Sequence, residues 1–330
     1  MNSREPVRAP LAPYPVEVAF PDIRRWEAGN TGVAYVHTFD SGAAGPHVMV
    51  MALTHGNEVS GAIAVDALLA AGVRPRIGRI TLGFANVAAY FRFDARQPDA
   101  NRFVDEDLNR VWAEARLDGP GDSVELRRAR ALRPILDDVD YLLDLHSMHE
   151  AGAPLMLSGI LEKGIRFAEA IGVPRTVIVD AGHANGKRMR DYGGFGDADS
   201  PKNALLLESG QHFSARSRAV ALDAAARFLL ELTQAASDTA DLRGFLLPEP
   251  PAAQRMLKVC EAVVADSMDF RFTQPLGDLQ RIARAGTVIA RDGEREIVTP
   301  FDDCVAIMPS LRQLAPGVTV VRLAREIARA

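Results

Sequence analysis

The run Thr54-His55-Gly56-Asn57-Glu58 holds two side chains whose types and spacing suit chemistry. An imidazole and a carboxylate three residues apart, with flexible Gly56 between them, can turn toward one cation as two of the three protein ligands of a catalytic zinc site. A bare His-x-x-Glu often means only a strand-end histidine bonded to a loop, so a third ligand must come from elsewhere. Asp144-Leu145-His146 provides it, because a second apolar run ends on a histidine. His55, Glu58 and His146 are therefore the expected metal ligands. A fourth group, Glu208, ends the apolar run 203–207 in the same way. A carboxylate carried out of an apolar strand into a cleft is poorly solvated, which raises its pKa toward the range useful for proton transfer.

The elements that must position these residues read as an α/β pattern. Residues 48–53 are an almost unbroken apolar run, as in a parallel strand buried on both faces, and residues 59–71 read as a helix. The turn between a strand end and a helix start is the usual crevice of an open α/β sheet. Further strands are expected at 32–39, 78–85, 139–145, 154–158, 176–180 and 203–207, with helices at 124–136, 162–171 and 214–234. Pro134 is expected to kink or end its helix early. Residues 89–110 are rich in charge and have no helical or strand period, which marks a long functional loop. Residues 181–201 form a second polar, glycine-rich loop carrying His183, Arg188, Arg190 and Tyr192. His37 reads as structural. By strand alternation Asp144 faces the same side as His146 and can support it, while His149 and His212 are candidates to orient His146 or Glu208.

From residue 258 onward the chain becomes a series of short β-prone runs between Gly, Pro and Asp turns, and it contains no histidine. The expectation is a mixed, largely parallel sheet flanked by helices over 1–240, then a small all-β domain over 241–330. The proline-rich residues 6–15 read as an extended arm. With 330 residues, 48% of them hydrophobic and 25% charged, the chain has an ordinary globular composition. A net charge of -5 gives no basic surplus to favour nucleic acid. The start lacks a signal-peptide core and no run approaches the roughly 18 apolar residues of a membrane span, so the expected location is cytoplasmic, with no membrane partner. Cys260 and Cys304 are too few and too far apart for a thiolate site, and both are expected in the core. The composition leaves a homo-oligomer open.

Four motifs in order resemble the succinylglutamate desuccinylase/aspartoacylase family: His55-Gly-Asn-Glu58, Arg102 followed by Asp107-Leu-Asn-Arg110, Asp144-Leu-His146, and Glu208-Ser-Gly-Gln-His212. The resemblance covers roughly residues 45–235, and the family has a zinc carboxypeptidase-like fold. It implies one zinc per chain held by His55, Glu58 and His146, Glu208 as general base, and hydrolysis of the amide bond of a small carboxylate-bearing substrate such as an N-acyl amino acid. It further implies that Arg102 stabilises the oxyanion, and that the β domain lies near the active-site entrance. Asn109 and Arg110 then suit a substrate carboxylate, since an amide beside a planar guanidinium offers paired hydrogen bonds; a loop salt bridge to Asp105 or Asp107 is the plainer reading of Arg110. Arg190 and Tyr192 sit on a loop that carries substrate-binding residues in relatives. A zinc carboxypeptidase acting on short peptides and a non-catalytic carboxylate-binding relative remain as alternatives; retention of Glu208 speaks against the second.

Overall fold

The computed structural model describes residues 14–94, 96–182, 185–248 and 252–328. Of the expected proline-rich arm, only Tyr14 and Pro15 fall within the described residues, and His183 lies outside them. Strands β1 (Val36–Asp40), β2 (His47–Ala52), β3 (Arg79–Phe84), β4 (Tyr141–Met148), β5 (Leu155–Leu157), β6 (Thr176–Val179) and β7 (Asn203–Gln211) alternate with helices. The helices are α1 (Val59–Ala70), α2 (Val87–Tyr90), α3 (Glu114–Asp118), α4 (Val124–Asp138), α5 (Glu162–Ile171) and α6 (Ala215–Thr233). Seven more strands follow: β8 (Arg255–Val264), β9 (Arg271–Phe272), β10 (Arg281–Ile282), β11 (Val288–Asp292), β12 (Arg295–Val298), β13 (Cys304–Ile307) and β14 (Thr319–Ile327).

Eleven of these strands form one sheet in the order β1-β3-β2-β4-β7-β5-β6-β8-β14-β13-β10. Side-chain alternation divides β2 between two cores. Val48, Val50 and Ala52 pack with α1, α5 and α6, whereas Met49 and Met51 pack with Leu126, Leu132 and Leu136 of α4. Both faces are covered, which explains why β2 reads as continuous apolar sequence and not as alternation. On β4, Leu143 and Leu145 share the α1 side, so Asp144 and His146 must project from the α4 side.

Two local expectations are corrected. Helix α4 runs through Pro134 to Asp138, held by Leu126, Ala129, Leu132 and Leu136 in the core, so packing outweighs the hydrogen bond lost at proline. Cys304 is buried, but Cys260 is exposed, because it sits on the solvent side of β8.

The C-terminal strands carry their own core, including Val263, Phe270, Ile289 and Leu323, and β9, β11 and β12 form a separate small sheet. Hydrogen bonding nevertheless crosses the compositional boundary. β8 pairs in parallel with β6, from Thr176 with Arg255 to Val179 with Lys258. This covers an edge strand that would otherwise present unpaired backbone groups.

The long loop between α2 and α4 is anchored by one buried side chain. Glu125 accepts from Asn86 Nδ2 at 2.9 Å and from the backbone N–H groups of Val104, Asp105 and Glu106 at 2.7, 3.1 and 3.2 Å. Glu125→Ala would leave these donors unpaired and is expected to destabilise the protein by about 1–3 kcal/mol. A urea denaturation midpoint equal to that of the wild type would show that other contacts hold the loop.

Candidate active site

β2, β4 and β7 are adjacent parallel strands, and their C-terminal ends bring the ionisable groups together. The β4–β7 register sets His146 directly beside Glu208. After β2 the chain turns at Leu53, whose φ of 59° is a conformation that leucine seldom adopts. Gly56, expected to lend flexibility, serves close packing instead. A Cβ there would come within 2.4 Å of the Asn101 carbonyl oxygen, and the Gly56 N–H donates to the Arg102 carbonyl at 2.9 Å.

Glu58 immediately precedes α1 and lies between the two histidines. Its Oε1 is 2.7 Å from His55 Nδ1, and its Oε2 is 2.8 Å from His146 Nδ1. Each imidazole turns its other nitrogen toward an aspartate. His55 Nε2 lies 2.8 Å from Asp107 Oδ1, and His146 Nε2 lies 2.8 Å from Asp144 Oδ2. Thr54 Oγ1 steadies Asp144 by donating to its Oδ1 at 2.8 Å.

Electrostatics explain what this arrangement can hold. Burial works against charge on Glu58, yet His55 and His146 keep its carboxyl well below the usual range. Burial likewise opposes a charged His146, but Asp144 and Glu58 hold its pKa well above the ordinary value. The carboxylates therefore demand positive charge between the rings. The His55 and His146 Nδ1 atoms and the Glu58 carboxylate face one another, a donor set that suits a divalent metal ion, and histidines backed by carboxylates are the common form of such ligands.

Glu208 is 9% exposed, and its Oε2 is buried without a hydrogen-bond partner among the described residues. Burial, followed by the nearby charge of Glu58, pushes its pKa up to about 8. Arg102 Nη1 donates to Glu58 Oε1 at 3.2 Å, and its Nη2 lies 2.9 Å from His55 Nε2. Arg110 Nη1 donates to the Asn109 carbonyl at 2.8 Å, and its Nη2 lies 3.8 Å from Asp107 Oδ2. Burial, together with the charges of Arg102, Arg322 and Arg188, brings Arg110 down to about 10 against the opposing pull of Asp107. These groups line a cleft of about 520 Å³. Met308, Thr319 and Arg322 reach the same cleft from the C-terminal region.

A model of the succinylglutamate desuccinylase/aspartoacylase catalytic domain matches residues 44–236. The chain belongs to this family. No curated protein sequence matches it. Succinylglutamate desuccinylase from Vibrio cholerae shares the fold with a TM-score of 0.64 at 17% identity, over 89% of this chain and 86% of that one. Murine aminoacylase 3 aligns with a TM-score of 0.60 at 18% identity, over 86% and 96% of the two chains. The product-bound ectoine utilization protein EutE from Ruegeria pomeroyi gives 0.59 at 18% identity, over 90% and 92%. At these identities the likeness is one of fold.

Members of the desuccinylase/aspartoacylase family are amide hydrolases. In this member, His55, Glu58, His146, Glu208, Arg102, Asn109 and Arg110 all line one cleft. Asn109 Oδ1 already accepts from the Met189 N–H at 2.9 Å, leaving its NH2 group for a ligand.

Arg190 and Tyr192, expected at the substrate, are not among the lining residues of this cleft. Residues 185–201 fold onto the sheet through two short turns, which bury both side chains. Arg190 Nη2 donates to the carbonyls of Ser158 and Ala204, and Tyr192 Oη donates to Asp137 while packing on Trp112. The same loop sends Arg188 to the cleft, 2% exposed, with its Nη1 3.3 Å from Asp180 Oδ2. Arg322, whose Nε is 3.5 Å from Asp180 Oδ2, had no signal in a β-prone stretch outside the family motifs. Asp107 was legible only as a salt-bridge partner, although its place in Asp-Leu-Asn-Arg marked it. His149 and His212 contact each other and not His146 or Glu208.

Removing the aspartates that orient the histidines tests the centre. Asp107→Asn and Asp144→Asn are each expected to weaken metal affinity by about 10- to 100-fold, measured by chelator competition. Wild-type affinity in both would assign the histidines another role.

Proposed function

We propose that the protein is a zinc-dependent deacylase that hydrolyses the amide bond of small N-acyl compounds bearing a carboxylate, such as N-acyl amino acids. The observation that carries this reading is the β4–β7 register, which sets a poorly solvated Glu208 beside the candidate metal ligand His146. His55, Glu58 and His146 would hold one zinc, which when bound supplies Lewis acidity toward a carbonyl and toward water.

The remaining work falls to the chain's own residues. Glu208 takes a proton from the attacking water, and its carboxyl group then delivers that proton to the leaving nitrogen. Arg102 donates to the oxygen that becomes negative as the carbonyl carbon turns tetrahedral. Arg110, with the Asn109 amide, grips the substrate carboxylate. The depressed pKa of Arg110 supports this, because a guanidinium that is buried and also faces other guanidinium groups gains from an incoming anion. A cleft of about 520 Å³ suits a small ligand better than an extended peptide. The names of two structural neighbours, succinylglutamate desuccinylase and aminoacylase, fit the same class.

Glu208→Gln is expected to keep the fold and the metal while lowering kcat by about a hundredfold or more. The carboxylate form is the active one, so kcat/KM should rise with pH. Burial raises the pKa, and a bound cation draws it back, placing the acid limb between the ordinary 4.5 and about 8. Wild-type turnover in Glu208→Gln would move the base elsewhere.

The clamp is tested with a matched substrate acid and its amide. Arg110→Ala should raise KM for the acid far more than for the amide, and Arg110→Lys should recover only part of the loss, since lysine restores charge but not the two-pronged geometry. Arg102→Ala should lower kcat for both alike. Equal damage to acid and amide in Arg110→Ala would defeat the carboxylate assignment.

A further inference from the structure

Besides the His55, Glu58 and His146 group, Asp99, His149 and His212 are the second set of ligand-type side chains that converges among the described residues. Their donor atoms all lie within 4.8 Å of one another. The placement follows from the strands that build the first centre. β4 and β7 pair His146 with Glu208, shift register, and pair Met148 with Gln211. The next residues in each chain direction of travel are His149 and His212, and the His212 N–H donates to the Met148 carbonyl at 3.0 Å. Asp99 arrives from the loop that reaches Arg102 three residues later.

His149 Nδ1 lies 3.2 Å from Asp99 Oδ1 and also 3.2 Å from His212 Nε2. An imidazole nitrogen has one in-plane position, filled by a proton or by a lone pair, so Nδ1 cannot serve both neighbours well. A cation among the three accepts a lone pair from each. Metal–nitrogen bonds of about 2.0–2.1 Å in tetrahedral geometry place ligand atoms roughly 3.3 Å apart, close to the two 3.2 Å spacings that His149 Nδ1 makes. His212 is fully placed for such a role, since Ser147 Oγ lies 2.8 Å from its Nδ1 and fixes the ring.

We infer that Asp99, His149 and His212 form a second divalent-cation site, separate from the His55, Glu58 and His146 centre. Two imidazoles and one carboxylate select a first-row transition ion such as zinc or cobalt over magnesium or calcium, which prefer oxygen ligands. Its structural consequence is a tie between the ends of β4 and β7 and the loop that carries Arg102. Affinity should be lower than at the first centre, because the Asp99 side chain is 37% exposed.

Cobalt(II) titration of the metal-free full-length protein, followed by calorimetry and elemental analysis, tests this directly. The wild type should bind two ions, Asp99→Asn and His149→Gln one each, and His146→Ala one. Hydrogen exchange in residues 96–107 should slow on addition of the second equivalent in the wild type, and in Asp99→Asn it should not. Asp99 sits on a partly exposed loop, so its substitution leaves the fold intact. Metal binding that is the same in Asp99→Asn as in the wild type, whether one ion or two, overturns the inference. Loss of an ion in His146→Ala reports on the first centre alone, so failure of either site is seen independently of the other.

Discussion

The structure depends on keeping Glu58 charged while it is 1% exposed to solvent. Taking a carboxylate out of water costs several kcal/mol unless nearby positive charge compensates for it. Here the compensation comes from His55 on one side and His146 on the other, each backed by its own aspartate. That alternation of carboxylate, imidazole, carboxylate, imidazole and carboxylate spans the ends of β2 and β4 and the loop at Asp107. Removing any one member leaves its neighbours with an uncompensated charge or an unused nitrogen. The same alternation gives the centre its capacity for a divalent ion, because one added cation answers the demand of all the carboxylates at once.

Guanidinium groups line the same cleft. Arg102, Arg110, Arg188 and Arg322 converge there, and Asp107, Asp180 and Asp191 are shared among them as counter-charges. The cleft thus holds a carboxylate-rich cluster and several guanidinium groups side by side. Arg102 and Arg110 are only as well placed as the loop that bears them. Glu125 secures that loop from the start of α4, and Gly56 lets it pass against the strand end without a steric clash. The buried polar contacts under the loop thus connect the stability of the α4 face with the placement of Arg102 and Arg110 in the cleft.

Much of the centre could be read before any tertiary contact was known. His55, Glu58, His146 and Glu208 each follow an apolar run, and that local pattern reports a strand buried on both faces that ends at a crevice. Motif order then associated them with Arg102, Asn109 and Arg110. Other positions carry no such local signal. Arg190 and Tyr192 lie on a loop without a period, where sequence distance from Glu208 says nothing about which way a short turn directs a side chain; the fold buries both and offers Arg188 instead. Pro134 and Cys260 depart from their residue preferences because packing of α4 and the exposed side of β8 outweigh them.

The sequence by itself determined the α/β class, the strand-end placing of His55, Glu58, His146 and Glu208, and the family, because periodicity and motif spacing are local properties that survive without contacts. Tertiary structure alone decided the rest. Whether His146 stands beside Glu208 depends on the register of β4 against β7, strands separated by more than fifty residues of chain. Whether the C-terminal strands form a detached unit depends on the edge that β6 leaves for β8. The arrival of Arg322 in the cleft, and the meeting of Asp99, His149 and His212, follow from those long-range pairings. Charge and hydrogen-bond complementarity between distant segments cannot be read from either segment alone.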